Sequence, residues 1–97
     1  MHKYELGVIV RPQLDEEALK AELAAIHELV ERFGGVIEKV DDWGKRKLAY
    51  EIDKQTEGFY QFITINAPAE MPQEVESRLN IRENVMRYLT INKDHVV

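Results

Sequence analysis

The chain contains no cysteine, which excludes disulfide bonds and thiolate metal sites and fits a reducing compartment. No apolar run approaches the roughly 18 residues that a membrane-spanning helix needs. No apolar signal-peptide block follows Met1 either. We therefore expect a cytoplasmic protein.

Clustered catalytic or metal-binding side chains are also missing. His2, His27 and His95 are scattered and lack the spacing of metal ligands. No glycine motif of the kind that cradles phosphate is present, because Gly34-Gly35 follows a helical pattern instead of preceding one. The adjacent carboxylates Glu16-Glu17 suit a helix start better than acid–base catalysis. We expect a protein that is not an enzyme and that uses no cofactor, metal or small-molecule substrate.

The charge of the chain is unevenly distributed. A net charge of −5 over 97 residues argues against a general nucleic-acid binder. Residues 15–33, however, carry six acids against two cations, and residues 70–79 carry three acids against one cation. The remainder is close to neutral, and salt screens charges over about 8 Å, so local charge decides what each surface binds.

Hydrophobic periodicity predicts one domain, 1–97, with strands and helices in the order β-α-β-β-α-β. The predicted elements are a first strand ending at Pro12, a helix from Asp15 to Gly34-Gly35, a second strand from Val36 toward Tyr50, a turn over 54–57, a third strand over 59–65, a helix that Pro68 and Pro72 bracket at its start, a last strand over about 85–92 and a tail over 93–97. This order is typical of an α+β, ferredoxin-like fold, a four-stranded antiparallel sheet with two helices on one face.

That fold leaves the second face of the sheet uncovered. If Ile63 and Ile65 face the helices, then Tyr60 and Phe62 face outward, because side chains alternate along a strand. The last strand, over 88–91, is apolar at both parities. An uncovered apolar patch of this kind is usually an interaction site.

The stretch from Asp41 to Tyr50 contains the only tryptophan, Trp43, and the consecutive cations Lys45, Arg46 and Lys47. Adjacent like charges repel one another, so clustering them does not favour folding. A polyanion gains from such a cluster, because each neutralised phosphate releases counterions. Trp43 offers a flat apolar face that stacks on bases or anchors an interface. A solvated hairpin with a half-buried tryptophan is the plainer interpretation.

Two other functions are compatible with the same architecture. A small acyl-phosphate hydrolase would need a glycine-bearing, anion-binding loop between the first strand and the first helix. Here residues 11–15 supply Arg11 but no glycine, and Asp15 ends the connection. A self-associating or small-ligand-binding ferredoxin-like module would use the uncovered face without needing clustered cations.

Three ordered segments resemble the bacterial ribosomal small-subunit protein six family. Residues 41–52 are similar to a family hairpin that joins an acid, Trp or Leu, Gly, basic residues and Leu-Ala-Tyr. Tyr4-Glu5 resembles the start of that family, and residues 79–87 resemble its passage from second helix to last strand. Glu51 departs from the pattern, since many members have Pro there. The resemblance spans essentially the whole chain.

The resemblance implies a ferredoxin-like structural component of the small ribosomal subunit. Such a protein binds the central domain of the small-subunit ribosomal RNA together with small-subunit ribosomal protein eighteen. The implied RNA contacts are Lys45, Arg46, Lys47, Arg82 and Arg87. Trp43, Tyr60 and Phe62 would pack against the partner protein or against unpaired bases. The partner is expected to be basic and to cover the open sheet face.

Overall fold

Four strands and two helices form a two-layer α+β domain in a computed structural model that describes residues 1–52 and 54–94. The elements are β1 (His2–Val10), α1 (Glu16–Arg32), β2 (Val36–Ile52), β3 (Gln55–Ala67), α2 (Met71–Leu79) and β4 (Val85–Asn92). The strands form one antiparallel sheet in the order β2-β3-β1-β4. The predicted βαββαβ fold is confirmed. Residues 95–97 of the predicted tail, including His95, lie outside the described residues.

Helix α1 begins and ends where its capping residues predict. The Asp15 carboxylate accepts a hydrogen bond of 2.8 Å from a backbone N–H of the first turn. At the other end Gly34 has φ 87°, a left-handed conformation that favours glycine. The Gly34 N–H donates to the Glu31 carbonyl at 3.1 Å, and the Gly35 N–H donates to the Val30 carbonyl at 2.9 Å. These two bonds form a Schellman motif, which satisfies carbonyls that the helix end would leave unpaired.

The core lies between the helices and one face of the sheet. Ile63 and Ile65 on β3 are fully buried, which confirms that they face the helices. Tyr60 and Phe62 therefore lie on the opposite face, as the alternation along β3 predicts. The remaining buried apolar residues come from β1, β3 and both helices: Tyr4, Leu6, Val8, Val10, Ile26, Leu29, Val30, Ala67, Met71, Val75 and Leu79.

The β2–β3 hairpin is longer and its turn tighter than the sequence predicted. The prediction that the second strand continues through the cationic stretch is confirmed, because β2 extends to Ile52. The turn predicted over 54–57 was wrong, since Ile52 pairs with Gln55 and β3 has already begun there. Lys54, at φ 64°, keeps a turn conformation. The side chain of Glu57 is exposed, so a polar residue can continue the strand at this position. Polarity alone therefore did not distinguish a turn from a strand.

Candidate nucleic-acid and protein interface

The sheet face opposite the helices carries exposed apolar side chains. Trp43 is 48% exposed, Tyr50 60%, Leu89 64% and Ile91 46%. Isolated exposed residues of this kind are ordinary, but a contiguous group of them marks an interaction surface. We call this surface the open face; it comprises Gly7, Ile9, Trp43, Tyr50, Tyr60, Phe62, Leu89 and Ile91.

The ring of Phe62 lies across β1, at Gly7. A Cβ atom at Gly7 would approach the Phe62 ring to 2.9 Å, which is closer than real contacts allow. Glycine at this position therefore lets the ring lie over the strand. Trp43 packs against Phe62 with its ring centre 4.8 Å away and the planes inclined at 61°. Two of the three predicted interface residues are thus in contact, and the third, Tyr60, lines the same groove as Phe62.

A β-bulge places Trp43 on the open face. The pairing of β2 with β3 shifts between Asp42 and Gly44, so one residue is inserted there. Gly44 has φ 70°, and its N–H donates to the Asp42 carboxylate at 3.1 Å. An extra residue in a strand changes the direction of the side chains around it. The bulge at Asp42-Trp43-Gly44 therefore directs the Trp43 side chain onto the open face.

The three consecutive cations lie on the outer strand β2, and two of them, Lys45 and Arg46, lie beside aromatic rings. The Lys45 Nζ atom is 5.4 Å from the centre of the Phe59 ring. The Arg46 Nε atom donates to the Trp43 carbonyl at 3.0 Å, and its guanidinium carbon is 5.9 Å from the Trp43 ring centre. Within residues 1–52 and 54–94, neither these two nor Lys47 forms an ion pair with a carboxylate. All three side chains are exposed, so a polyanion can reach their charges.

Arg87 is separated from those cations, because β4 is the opposite edge of the sheet. Its Nη1 atom donates to the Tyr50 hydroxyl, and its guanidinium carbon lies 5.4 Å from the centre of the Tyr50 ring. The far end of β2 thus reaches over the open face and contacts β4. A groove forms there, and it is lined by Tyr50, Arg87 and residues of the open face. Sequence analysis missed Tyr50 as a site residue, and only its place in the Leu-Ala-Tyr motif marked it.

Arg82 lies against helix α1 and is already paired. Its Nε and Nη2 atoms donate to the two carboxylate oxygens of Glu22 at 2.5 and 3.2 Å. Asn84 donates to the same carboxylate at 3.3 Å, and Glu22 is only 6% exposed. The hydrogen bond from Arg82 holds the pKa of Glu22 below its ordinary value of 4.5, although burial opposes that shift. The same bond raises the pKa of Arg82. Arg82 is therefore the least available of the five predicted RNA contacts.

The other polar groups near the core have structural partners. His27 Nε2 lies 2.6 Å from the side-chain oxygen of Gln61, which is 4% exposed. Across residues 1–52 and 54–94, no three His, Asp or Glu side chains group to hold a metal ion. Neither described helix is long and apolar enough to cross a membrane.

Comparison with protein families gives a match over nearly the whole chain. The model of the family described as Ribosomal protein S6 matches residues 3–92. The small ribosomal subunit protein bS6 of Clostridium novyi (strain NT) is 45% identical over 94 residues, which cover 97% of this chain and 99% of that protein. The protein of the same name from Clostridium kluyveri (strain NBRC 12016) is 46% identical over the same shares of both chains.

Solved structures agree with these sequence matches. The 30S ribosomal protein S6 of Thermotoga maritima has a TM-score of 0.91 and 30% identity, with 96% of this chain and 88% of that one covered. The C-terminal domain of the MgtC protein of Mycobacterium tuberculosis has a TM-score of 0.64 at 12% identity, which is a likeness of fold alone. The resemblance found in the sequence is confirmed, and the chain belongs to the ribosomal protein S6 family of small ribosomal subunit proteins.

Proposed function

We propose that this chain binds the central domain of the small-subunit ribosomal RNA as a heterodimer with small-subunit ribosomal protein eighteen. Its role is structural and cytoplasmic, without catalysis. One observation carries the proposal. An exposed apolar sheet face adjoins an edge strand whose three consecutive cations have no ion pair among the described carboxylates.

The open face is the side that binds protein. Trp43, Tyr60 and Phe62 are large aromatic side chains, which are enriched at the centres of protein interfaces. The acidic excess lies mostly in the helix layer, on the opposite side of the sheet, so the open face itself offers mainly apolar contacts. Covering the open face removes exposed Leu89 and Ile91 from water, which favours association.

The outer strand β2 is the side that binds RNA. Lys45, Arg46 and Lys47 are exposed and contact phosphates, which position a protein on RNA without reading its sequence. Arg87 extends this positive charge across the open face, where it contacts Tyr50. Arg82 contributes least, because Glu22 already neutralises its charge.

The test removes the three charges while keeping polar side chains with part of their aliphatic stems. A variant with Lys45→Gln, Arg46→Gln and Lys47→Gln is combined with protein eighteen, and its RNA affinity is measured across a salt series. We expect weaker binding and a salt slope lower by about one per lost phosphate contact.

A matched control changes three cations of the helix layer to Gln, namely Lys20, Arg32 and Arg78. It alters the net charge by the same amount and should leave the salt slope unchanged. Equal losses in both variants would show a general charge effect and contradict the role of β2. Sizing the chain alone tests the self-associating alternative, since a stable homodimer that excludes protein eighteen would contradict the proposed heterodimer.

A further inference from the structure

The outer edge of β4 carries main-chain groups that no strand pairs. In the sheet order β2-β3-β1-β4, residues 1–52 and 54–94 place nothing beyond β4. The Lys93 N–H donates to the Lys3 carbonyl at 2.8 Å. This bond identifies Lys93 and Lys3 as a hydrogen-bonded pair, from which the other pairs of β1 and β4 can be counted. Antiparallel pairs alternate, so Leu89 directs its N–H and carbonyl toward β1. The main-chain groups of Tyr88 and Thr90 therefore point away from the sheet.

The two edges of the sheet differ in how they discourage a new strand. β2 carries eight charged residues along Val36–Ile52 and has register shifts, devices that keep other strands from pairing with an edge. β4 carries one charge, Arg87, and neither proline nor glycine. An edge without such protection is a template for an added strand.

The side chains beside this edge are apolar and exposed. Leu89 is 64% exposed and Ile91 is 46% exposed, and both lie on the open face. A strand laid along β4 would place its alternate side chains against them. The same strand would continue the open face, which the proposed function assigns to the partner protein.

We propose that an extended segment of the partner protein adds to β4 as a fifth strand, with apolar residues at alternate positions facing Leu89 and Ile91. Main-chain hydrogen bonds to Tyr88 and Thr90 hold it, a mode of recognition known as β-augmentation. This inference rests on the proposed function. A second copy of the chain is the alternative occupant, and the experiment below distinguishes it from the partner protein.

The test uses proline to remove one outward N–H. Thr90→Pro deletes the Thr90 donor without removing a hydrogen bond to β1, and proline is tolerated where a strand faces solvent. Thr90→Ala keeps the donor and serves as the matched control. We expect Thr90→Pro to weaken association with protein eighteen by about tenfold, the equivalent of one lost interfacial hydrogen bond, and Thr90→Ala to leave it nearly unchanged.

Amide hydrogen exchange on the unmodified chain gives a second measurement that does not depend on how the variant folds. The Tyr88 and Thr90 amides should exchange more slowly when the partner is added, whereas the Leu89 amide is protected in both states. Unchanged exchange, or equal binding by the two variants, would overturn the inference while leaving the heterodimer intact. Protection that depends on chain concentration without partner would assign the edge to a second copy and overturn the inference. If no heterodimer forms, both the proposed function and this inference fail.

Discussion

The two faces of β3 show how one strand serves two purposes. Ile63 and Phe62 are neighbours in sequence, yet Ile63 is fully buried under the helices and Phe62 lies on the open face beside Trp43. Both side chains are large and apolar, so composition does not separate their roles. The difference comes from the alternation of side chains along a strand, together with helices that cover only one side.

The covered face of β3 stabilises the fold, whereas the open face is available for assembly. The covered face is close-packed, and removing a side chain there leaves a cavity. The open face has water on one side, so a truncation costs less in folding and more in whatever the face binds. Substitutions on the two faces should therefore separate stability from association.

The largest effect is expected for Ile63→Ala. The side chain is fully buried, and its truncation should lower the free energy of unfolding by about 2–5 kcal/mol. Urea unfolding followed by circular dichroism measures this change. The folded fraction of Ile63→Ala should bind protein eighteen with nearly the affinity of the unmodified chain. A selective loss of binding would contradict this division of roles, because it would give the covered face a part in assembly.

Much of the fold was predictable because its signals are local. Helix α1 starts after Asp15 and ends before Gly34-Gly35, where hydrogen bonds between residues close in sequence cap its two ends. The predicted start and end of this helix agree with the structure. The alternation around Ile63 gave the correct face of β3, since a shift of one residue would expose the isoleucines. The predicted last strand over 85–92 also agrees with β4.

The candidate site was less predictable because its contacts join distant residues. Glu22 and Arg82 are 60 residues apart, and only the packing of α1 shows that a buried carboxylate already holds the arginine. Tyr50 and Arg87 are 37 residues apart and meet because the hairpin reaches across the open face. A cation near the site in sequence is therefore not always free to bind RNA.

Arg82 and Glu22 form a hydrogen-bonded ion pair on the covered side of the sheet. Arg82→Ala should lower the free energy of unfolding by about 1–3 kcal/mol near pH 7, because the Glu22 carboxylate loses its main hydrogen-bond donor. Asn84 remains as a weaker donor, which limits the loss. Glu28→Ala changes an exposed acid of the same helix and should stay within about 0.5 kcal/mol. Equal costs for the two variants would contradict the assigned pairing.

The same pair predicts how stability depends on pH. The folded pKa of Glu22 lies below its ordinary value of 4.5, so the unfolded chain binds this proton more readily. The stabilisation is complete above about pH 4.5 and is lost as the pH falls through the lower folded pKa. The free energy of unfolding should fall less between about pH 7 and about pH 3 for Arg82→Ala than for the unmodified chain. An identical loss in both would show that this carboxylate does not contribute.

A smaller effect on stability is expected for Phe62→Ala on the open face. The ring is partly exposed, and we expect a cost of about 1–2 kcal/mol. Association with protein eighteen should weaken by about tenfold or more, because central aromatic residues dominate such interfaces. Isothermal titration calorimetry and urea unfolding measure the two effects separately. A stability loss of about 3 kcal/mol or more would place Phe62 in the core and remove the distinction between the faces.

The smallest effect divides the cationic stretch itself. Lys45 lies over the Phe59 ring, whereas Lys47 has no ring contact among the described residues. Lys45→Ala should therefore cost about 0.5–1 kcal/mol of stability, the usual worth of an exposed cation–π contact, and Lys47→Ala almost nothing. Both variants should flatten the salt dependence of RNA binding by a similar amount. If Lys45→Ala leaves that slope unchanged, Lys45 belongs to the fold, and the RNA surface begins only at Arg46.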